Sequence, residues 1–118
     1  MLRKVLRSKI HRARVTEAEI DYVGSIAIDR GLMEEVGLVN GECVLVSDLA
    51  NGQRFETYVI EGEPGSGMIC VNGAAARLVS VGDEVIIMAF GYLGPDEIES
   101  HRPRVVLVDR NNQVSKRL

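Results

Sequence analysis

One pattern, present twice, constrains the fold more than anything else in the chain. "LVNGECVLV" begins at Leu38 and "VSVGDEVII" begins at Val79. Gly41 matches Gly82, an offset of 41 residues. In each copy a short helical segment precedes the glycine, an acid follows it (Glu42 or Asp83), and an apolar run comes next. That order predicts two strand–helix–strand units closing on each other. Short runs rich in Val, Ile, Leu and Thr, separated by turn signals, fill the rest of the chain. Such strands would expose edges to other chains, and closure into a barrel removes those edges. The expected fold is mainly β: a small closed barrel with short helices, built by residues 1–118 as a single domain.

Local signals place the elements. "DRGLMEEVG" reads as a short helix with Gly37 just past its end. Asn51-Gly52 between two strand-like runs marks a hairpin. "EGEPGSG" reads as a turn in preference to an anion cradle. "MICVNG" is a strand, "AAARLV" a helical turn or two, and "DEVIIMAF" a buried strand. "GPDEIESHRP" holds a turn and a short helix, "RVVLVD" is the last strand, and "RNNQVSKRL" is a loose polar tail.

Composition narrows the partners. Aromatic residues make up 4% of the chain and Trp is absent, which argues against base-stacking surfaces. A net charge of -3 gives no overall attraction to nucleic acid, so none is expected as a partner. No apolar run approaches the roughly 20 residues of a membrane span. Cys43 and Cys70 lie in apolar runs without CxxC spacing and read as buried free thiols of a reducing cytosol. No metal site is expected, because His11 and His101 lie far from either cysteine in sequence. The stretch "MLRKVLRSKIHRAR" carries six of the 14 Lys and Arg and no acid. It reads as a transit peptide, a basic arm, or a strand whose basic side chains face solvent or a shared cleft.

Three stretches could carry chemistry. In "DYVGSIAID", Tyr22, Val23, Ile26 and Ile28 suit a strand, and Gly24-Ser25 interrupts it. A glycine there marks a bulge, a bend or a close backbone approach. In "NGQRFETY", alternation sets Arg54, Glu56 and Tyr58 on one face and Thr57 on the other. Arg54 is either a clamp for a carboxylate or phosphate, or a surface arginine paired with a glutamate. In "VNGAAAR", Asn72-Gly73 turns the chain and the three alanines open a helix. Free backbone N–H groups there suit an anion, or the turn is only a tight helix start.

Together "HRARVTEAEIDYVGSIAID", "NGQRFETY" and "VNGAAARLVSVGD" resemble the pyruvoyl-dependent aspartate 1-decarboxylase family, from Lys9 to about Pro103. The resemblance implies a double-psi β-barrel, in agreement with the two-copy pattern. It implies a precursor that cuts itself between Gly24 and Ser25 into residues 1–24 and 25–118. The Ser25 hydroxyl attacks the Gly24 carbonyl, the amide becomes an ester, and elimination leaves a dehydroalanine. Hydrolysis then yields a covalently bound pyruvoyl group. In this reading Gly24 is a glycine because a Cβ would clash in the bent backbone. Thr57 is implied as the hydroxyl donor at the Gly24 carbonyl.

The implied reaction is decarboxylation of L-aspartate, held as a Schiff base, to β-alanine and CO2, which feeds pantothenate and coenzyme A synthesis. Tyr58 is implied as the proton donor, and Lys9 and Arg54 as partners of the substrate carboxylates. Asn72 and the Gly73-Ala74-Ala75 backbone line the pocket, with Thr57 beside them and His11 and Tyr22 as outer neighbours. A cytoplasmic homotetramer is implied, and the need for a maturation factor stays open. Alternation parts Thr57 from Tyr58, so a bulge or a site shared between subunits is expected. Lys9 and His11, two residues apart, share a strand face, which favours the strand reading of the N-terminus. The alternatives are a non-catalytic swapped-hairpin barrel binding DNA, and an anion-binding module built on Arg54 and the Asn72-Gly73 turn.

Overall fold

The two copies of the sequence pattern form two halves of one sheet. A computed structural model describes residues 1–118. Its strands are β1 (Arg3–Arg14), β2 (Glu17–Glu19), β3 (Ser25–Asp29), β4 (Cys43–Asp48), β5 (Arg54–Gly62), β6 (Ile69–Asn72), β7 (Glu84–Leu93), β8 (Arg104–Val108) and β9 (Val114–Arg117). Helix α1 (Arg30–Val36) follows β3, a 3-10 helix (Gly73–Leu78) follows β6, and α2 (Pro95–Ile98) follows β7.

The antiparallel pair β3/β6 sets Ile28 against Ile69, and the pair β4/β7 sets Val46 against Ile87. Both pairs are 41 residues apart, the offset of Gly41 from Gly82. A local two-fold axis relating the copies must pass between each pair. Hydrogen bonds repeat across it. Val59 exchanges backbone bonds with Gly41 and Glu42 at 2.7 and 2.9 Å, and Val15 does the same with Gly82 and Asp83 at 2.8 and 2.9 Å. Gly41 and Gly82 have φ of 87° and 96°, a region that a Cβ makes costly, so both copies need glycine there.

The strand order is β2-β6-β3-β5-β4-β7-β1-β8-β9. Strands β1 and β2 are joined only by Val15 and Thr16, yet six inter-strand steps separate them in that order. In a flat sheet six steps would span about 29 Å at ~4.8 Å each. Two linking residues reach about 11 Å. The sheet is therefore rolled, and the β1–β2 segment runs along the seam. Inside lie Ile10, Ile26, Ile28, Val44, Val46, Val59, Ile69, Val71, Val85 and Ile87, all buried.

The basic N-terminus is strand β1, paired antiparallel with β7 and parallel with β8. Lys9 and His11 flank the fully buried Ile10, so they share the opposite face. Helix α1 ends at Gly37, left-handed at φ 76°, as its sequence predicts. The Asn51-Gly52 turn joins the antiparallel strands β4 and β5. No helix is long and apolar enough to cross a membrane.

Four expectations are corrected. The C-terminal segment is not loose: β9 folds back onto β8. Asn112, left-handed at φ 59° and 1% exposed, anchors it. Its side chain accepts from the Arg14 N–H at 2.7 Å and donates to the carbonyls of Arg14 and Gly67 at 2.8 and 2.7 Å. Cys70 is buried but Cys43 is exposed, because Cys43 sits on the face of β4 turned away from the core. Tyr22 and Val23 lie before the strand and are 67% and 78% exposed, since β3 starts only at Ser25. The glycines of "EGEPGSG" do cradle an anion, and it is the chain's own. Buried Asp29 accepts from the N–H groups of Gly65 and Gly67 at 3.1 and 2.8 Å, and from Gly31 at 2.8 Å.

Candidate active site

Ser25 opens β3 and pairs with Asn72 at the end of β6. The next pair, Ile26 with Val71, is fully buried in the core. Alternation therefore turns Ser25 and Asn72 to the other face together. Both are 2% exposed. Asn72 Nδ2 donates to Ser25 Oγ at 3.0 Å, and Ser25 Oγ donates to the Val23 carbonyl at 3.4 Å. Cys70, two residues before Asn72 on the same face, donates from Sγ to Asn72 Oδ1 at 3.2 Å. The Asn72 amide thus serves the serine instead of capping the 3-10 helix that follows.

Gly73 and Gly24 divide the steric demand in an unexpected way. A Cβ on Gly24 would meet nothing within 4 Å, so the expected clash at that residue is absent. A Cβ on Gly73, whose φ is 78°, would lie 2.7 Å from Gly24 Cα and 3.0 Å from Gly24 N. Gly73 is the residue that must be small, and it is small so that the Gly24-Ser25 backbone can approach it. Beyond it Ala74 is exposed and Ala75 packs half-buried on the core.

Strand β5 runs parallel to β3, with Ile26 against Val59. Continued beyond the end of that ladder, the register would set Tyr58 against Ser25 and Thr57 against Gly24. Its pairing with β4 is unbroken from Arg54 to Tyr58, so β5 carries no bulge; the register shifts lie in the β1/β7 and β8/β9 pairs instead. Alternation holds along β5: Arg54, Glu56 and Tyr58 are exposed, and Phe55, Thr57 and Val59 turn inward. Tyr58 is 40% exposed.

The cationic residues stand apart within one chain. Arg54 shares the face of Tyr58 but lies four residues along the strand, about 13 Å away. Lys9 is on β1, separated from β3 by β5, β4 and β7 in one direction and by the β1–β2 seam and β6 in the other. Neither residue enters any of the four ion pairs, Arg7–Glu42, Arg12–Glu84, Arg30–Glu34 and Arg117–Glu35. Arg54 is thus an exposed surface arginine, but no glutamate pairs with it. His11 is held below the usual imidazole pKa, first by burial and then by the positive charges of Lys9 and Arg12, and its Nδ1 is buried without a partner.

Beside Asn72 a cavity of about 380 Å³ opens, lined among others by Tyr22, Ala27, Ile60, Cys70 and the carboxylates of Glu17 and Glu19. Sequence reasoning assigned no part in the site to Cys70 or Ile60. The signal for both was parity: Cys70 is two residues from Asn72, and Ile60 two residues from Tyr58. No group of three or more His, Cys, Asp or Glu side chains is placed to hold a metal ion.

A sequence profile of the family described as "Aspartate decarboxylase" matches residues 1–115. The chain is 60% identical to the aspartate 1-decarboxylase of Caldicellulosiruptor saccharolyticus over 98% of its own length and 91% of that protein's. It is 51% identical to that of Bacillus cereus (strain B4264), over 100% and 93% respectively. Among solved structures it is similar to the rationally designed mkDPBB_sym1 protein, with TM-score 0.50 and 28% identity over 74% of this chain and 96% of that one. That likeness agrees with the double-psi β-barrel that the family resemblance implies and with the small barrel expected from the two-copy pattern.

Proposed function

The chain belongs to the aspartate decarboxylase family, a family of carboxy-lyases, and from that premise we propose that it decarboxylates L-aspartate to β-alanine and CO2 after cutting itself between Gly24 and Ser25. The observation that carries this reading is the buried Ser25 hydroxyl, gripped by Asn72 while Gly73 lets the preceding backbone come within contact distance. A serine so enclosed and so close to a chain bend has little to do as a structural residue.

In the cut, Ser25 Oγ forms a bond to the Gly24 carbonyl carbon. The Gly24–Ser25 C–N bond breaks, and the hydroxyl proton ends on the freed nitrogen. Elimination then releases the Gly24 carboxylate and leaves a dehydroalanine. Water converts this to a pyruvoyl group and ammonia. Thr57, which would lie opposite Gly24 if the β3/β5 register continued past Ile26–Val59, is the hydroxyl donor that stabilises the oxygen as charge develops on it.

What supports such a group there is the buried Ser25 position and a Gly73 with no Cβ, which leaves room for the Gly24-Ser25 backbone beside it. A pyruvoyl group there supplies an electron-withdrawing carbonyl that accepts the charge left by the departing α-carboxylate. The chain's own residues do the rest. Asn72 holds its amide donor at the position of the Ser25 side-chain oxygen. The Gly73-Ala74-Ala75 backbone shapes the wall. Tyr58 exposes a phenol that supplies the proton replacing the carboxylate at the substrate's Cα. Tyr22, beside the same cavity, limits solvent access, and neutral His11 stands further out near Lys9.

Lys9 and Arg54 bind the substrate carboxylates, and in this reading they reach the site from a neighbouring copy in a homotetramer. Their support is that neither enters an ion pair and that Arg54 lies about 13 Å along β5 from Tyr58. The product would serve pantothenate and coenzyme A synthesis.

Intact-mass analysis of the purified protein tests the reading. Two fragments, residues 1–24 and 25–118, with a blocked N-terminus on the larger, are expected. Ser25→Ala should fold, stay in one piece and release no CO2 from aspartate. A Ser25→Ala variant that still decarboxylates would overturn it.

A further inference from the structure

We propose that Cys70 is a positioning residue for self-cleavage: its thiol fixes which end of the Asn72 amide faces Ser25, and so fixes where the serine hydroxyl points. The inference rests on the reading of Ser25 as the attacking group.

The argument starts from what an asparagine side chain can do. One end of the amide donates two hydrogen bonds and the other only accepts. Either end could face a serine hydroxyl, which both donates and accepts. A fixed donor at the far end removes that freedom. Cys70 Sγ lies 3.2 Å from Asn72 Oδ1, so the oxygen end is claimed and Nδ2 must face Ser25 Oγ, 3.0 Å away. The hydroxyl then cannot donate to Asn72, and its proton goes to the Val23 carbonyl. Of the two lone pairs on Oγ, one accepts from Nδ2 and one is left free for attack. The bonds form a directed chain, Cys70 to Asn72 to Ser25 to Val23. With the amide reversed, the hydroxyl proton would turn to Oδ1 and both lone pairs of Oγ would lose their orientation.

The thiol is suited to this. It is buried; burial first, then Glu17 by its charge and as a rival acceptor for the S–H, and then Glu19 raise its pKa to about 11, so it remains an S–H donor at neutral pH. The contact at hydrogen-bond distance is the one to Asn72 Oδ1 at 3.2 Å. Glu17 sits directly across from Cys70 in the β2/β6 pair and Glu19 across from Asn72. Neither carboxylate can donate in place of the thiol when ionised.

The test follows first-order conversion of the freshly made 118-residue chain into two fragments. Cys70→Val keeps the volume and removes the donor; Cys70→Ser keeps a donor in a smaller group. Cys70→Val is expected to cleave about fivefold more slowly or worse, the loss of one oriented hydrogen bond, and Cys70→Ser to recover the wild-type rate to within about twofold. Asn72→Asp removes the donor to Oγ, so adding Cys70→Val to it should cause no further slowing. Thermal melts confirm that each variant is folded. A folded Cys70→Val variant that cleaves at the wild-type rate overturns the proposal. So does a folded Cys70→Ser variant as slow as Cys70→Val, or additive effects in the double variant. Wild-type protein that never cleaves would instead sink the proposed function itself, which keeps the two failures distinct.

Discussion

At the scale of single residues, the two glycines of the site carry different burdens. Gly73 adopts φ 78°, where a non-glycine residue pays about 1–2 kcal/mol for the left-handed conformation alone. Its added Cβ would also press on the Gly24 backbone at 2.7 Å. Gly73→Ala should therefore lower stability by at least that amount and displace the scissile segment, slowing cleavage by about tenfold or more. Gly24→Ala meets open space and should change stability by less than about 0.5 kcal/mol. Thermal melts and fragment formation on a denaturing gel check both. The sequence pointed to Gly24-Ser25 because a glycine inside a strand-like run needs a reason. It could not say which glycine was sterically required, because the clash is between Gly24, just before β3, and Gly73, after β6 and 49 residues further on. Parity did survive: Tyr58 and Thr57 face opposite ways along an unbroken β5. The apparent conflict would ease if the parallel register, observed from Ile26–Val59 onward, were continued back to match Tyr58 with Ser25 and Thr57 with Gly24.

At the scale of elements, Asp29 ties three pieces together. It caps α1 through Gly31 and pins the loop after β5 through Gly65 and Gly67. The carboxylate has an acceptor for every one of these donors. Asp29→Asn would turn an NH2 group towards one of these N–H groups and leave it unsatisfied in a buried place. A loss on the order of 3 kcal/mol is expected, a fall in Tm of roughly 10 °C, with faster hydrogen exchange at Gly65 and Gly67. A smaller change would mean that water or a loop shift replaces the lost bond. Helix and hairpin positions were readable because their signals are local: a glycine after α1, and Asn-Gly between two strands. The loop's true partner was hidden because Asp29 and Gly65 are 36 residues apart in the chain. Strand β9 was missed for a similar reason. Its hairpin is set by Asn112 in a left-handed conformation, and that residue is held by Arg14, at the far end of the sequence.

At the scale of the whole molecule, the two-fold repeat brings a cost where the halves meet. Asp48 ends β4, and Asp83 precedes β7, which pairs with it. Asp48 is 2% exposed, and its Oδ2 has no donor to satisfy it. Burial, and next the neighbouring Asp83, hold the Asp48 carboxyl above its ordinary pKa of 3.8, while Asp83 is held below its own, first by its bond to Asp48. Protonated, Asp48 donates to the Asp83 carboxylate; ionised, it sets a second negative charge, a buried one, beside it. Because Asp48 holds its proton to higher pH when folded than when unfolded, its contribution is full at low pH and is lost as pH rises from 3.8 through its raised value. Asp83 works in the opposite sense, losing its contribution as pH falls through its lowered value. At neutral pH Asp48 is the liability. Asp48→Asn keeps an oxygen for the Ala50 N–H, which Asp48 Oδ1 accepts at 2.8 Å, and offers Asp83 a donor that needs no titrating proton. The variant should gain on the order of 1 kcal/mol at neutral pH, a Tm rise of about 4 °C. The gain should shrink as pH falls towards 3.8, where Asp48 regains its own proton. Thermal denaturation of both proteins across that range decides it: a gain that is flat with pH, or a loss at neutral pH, would show that the junction between the halves does not share a proton in this way.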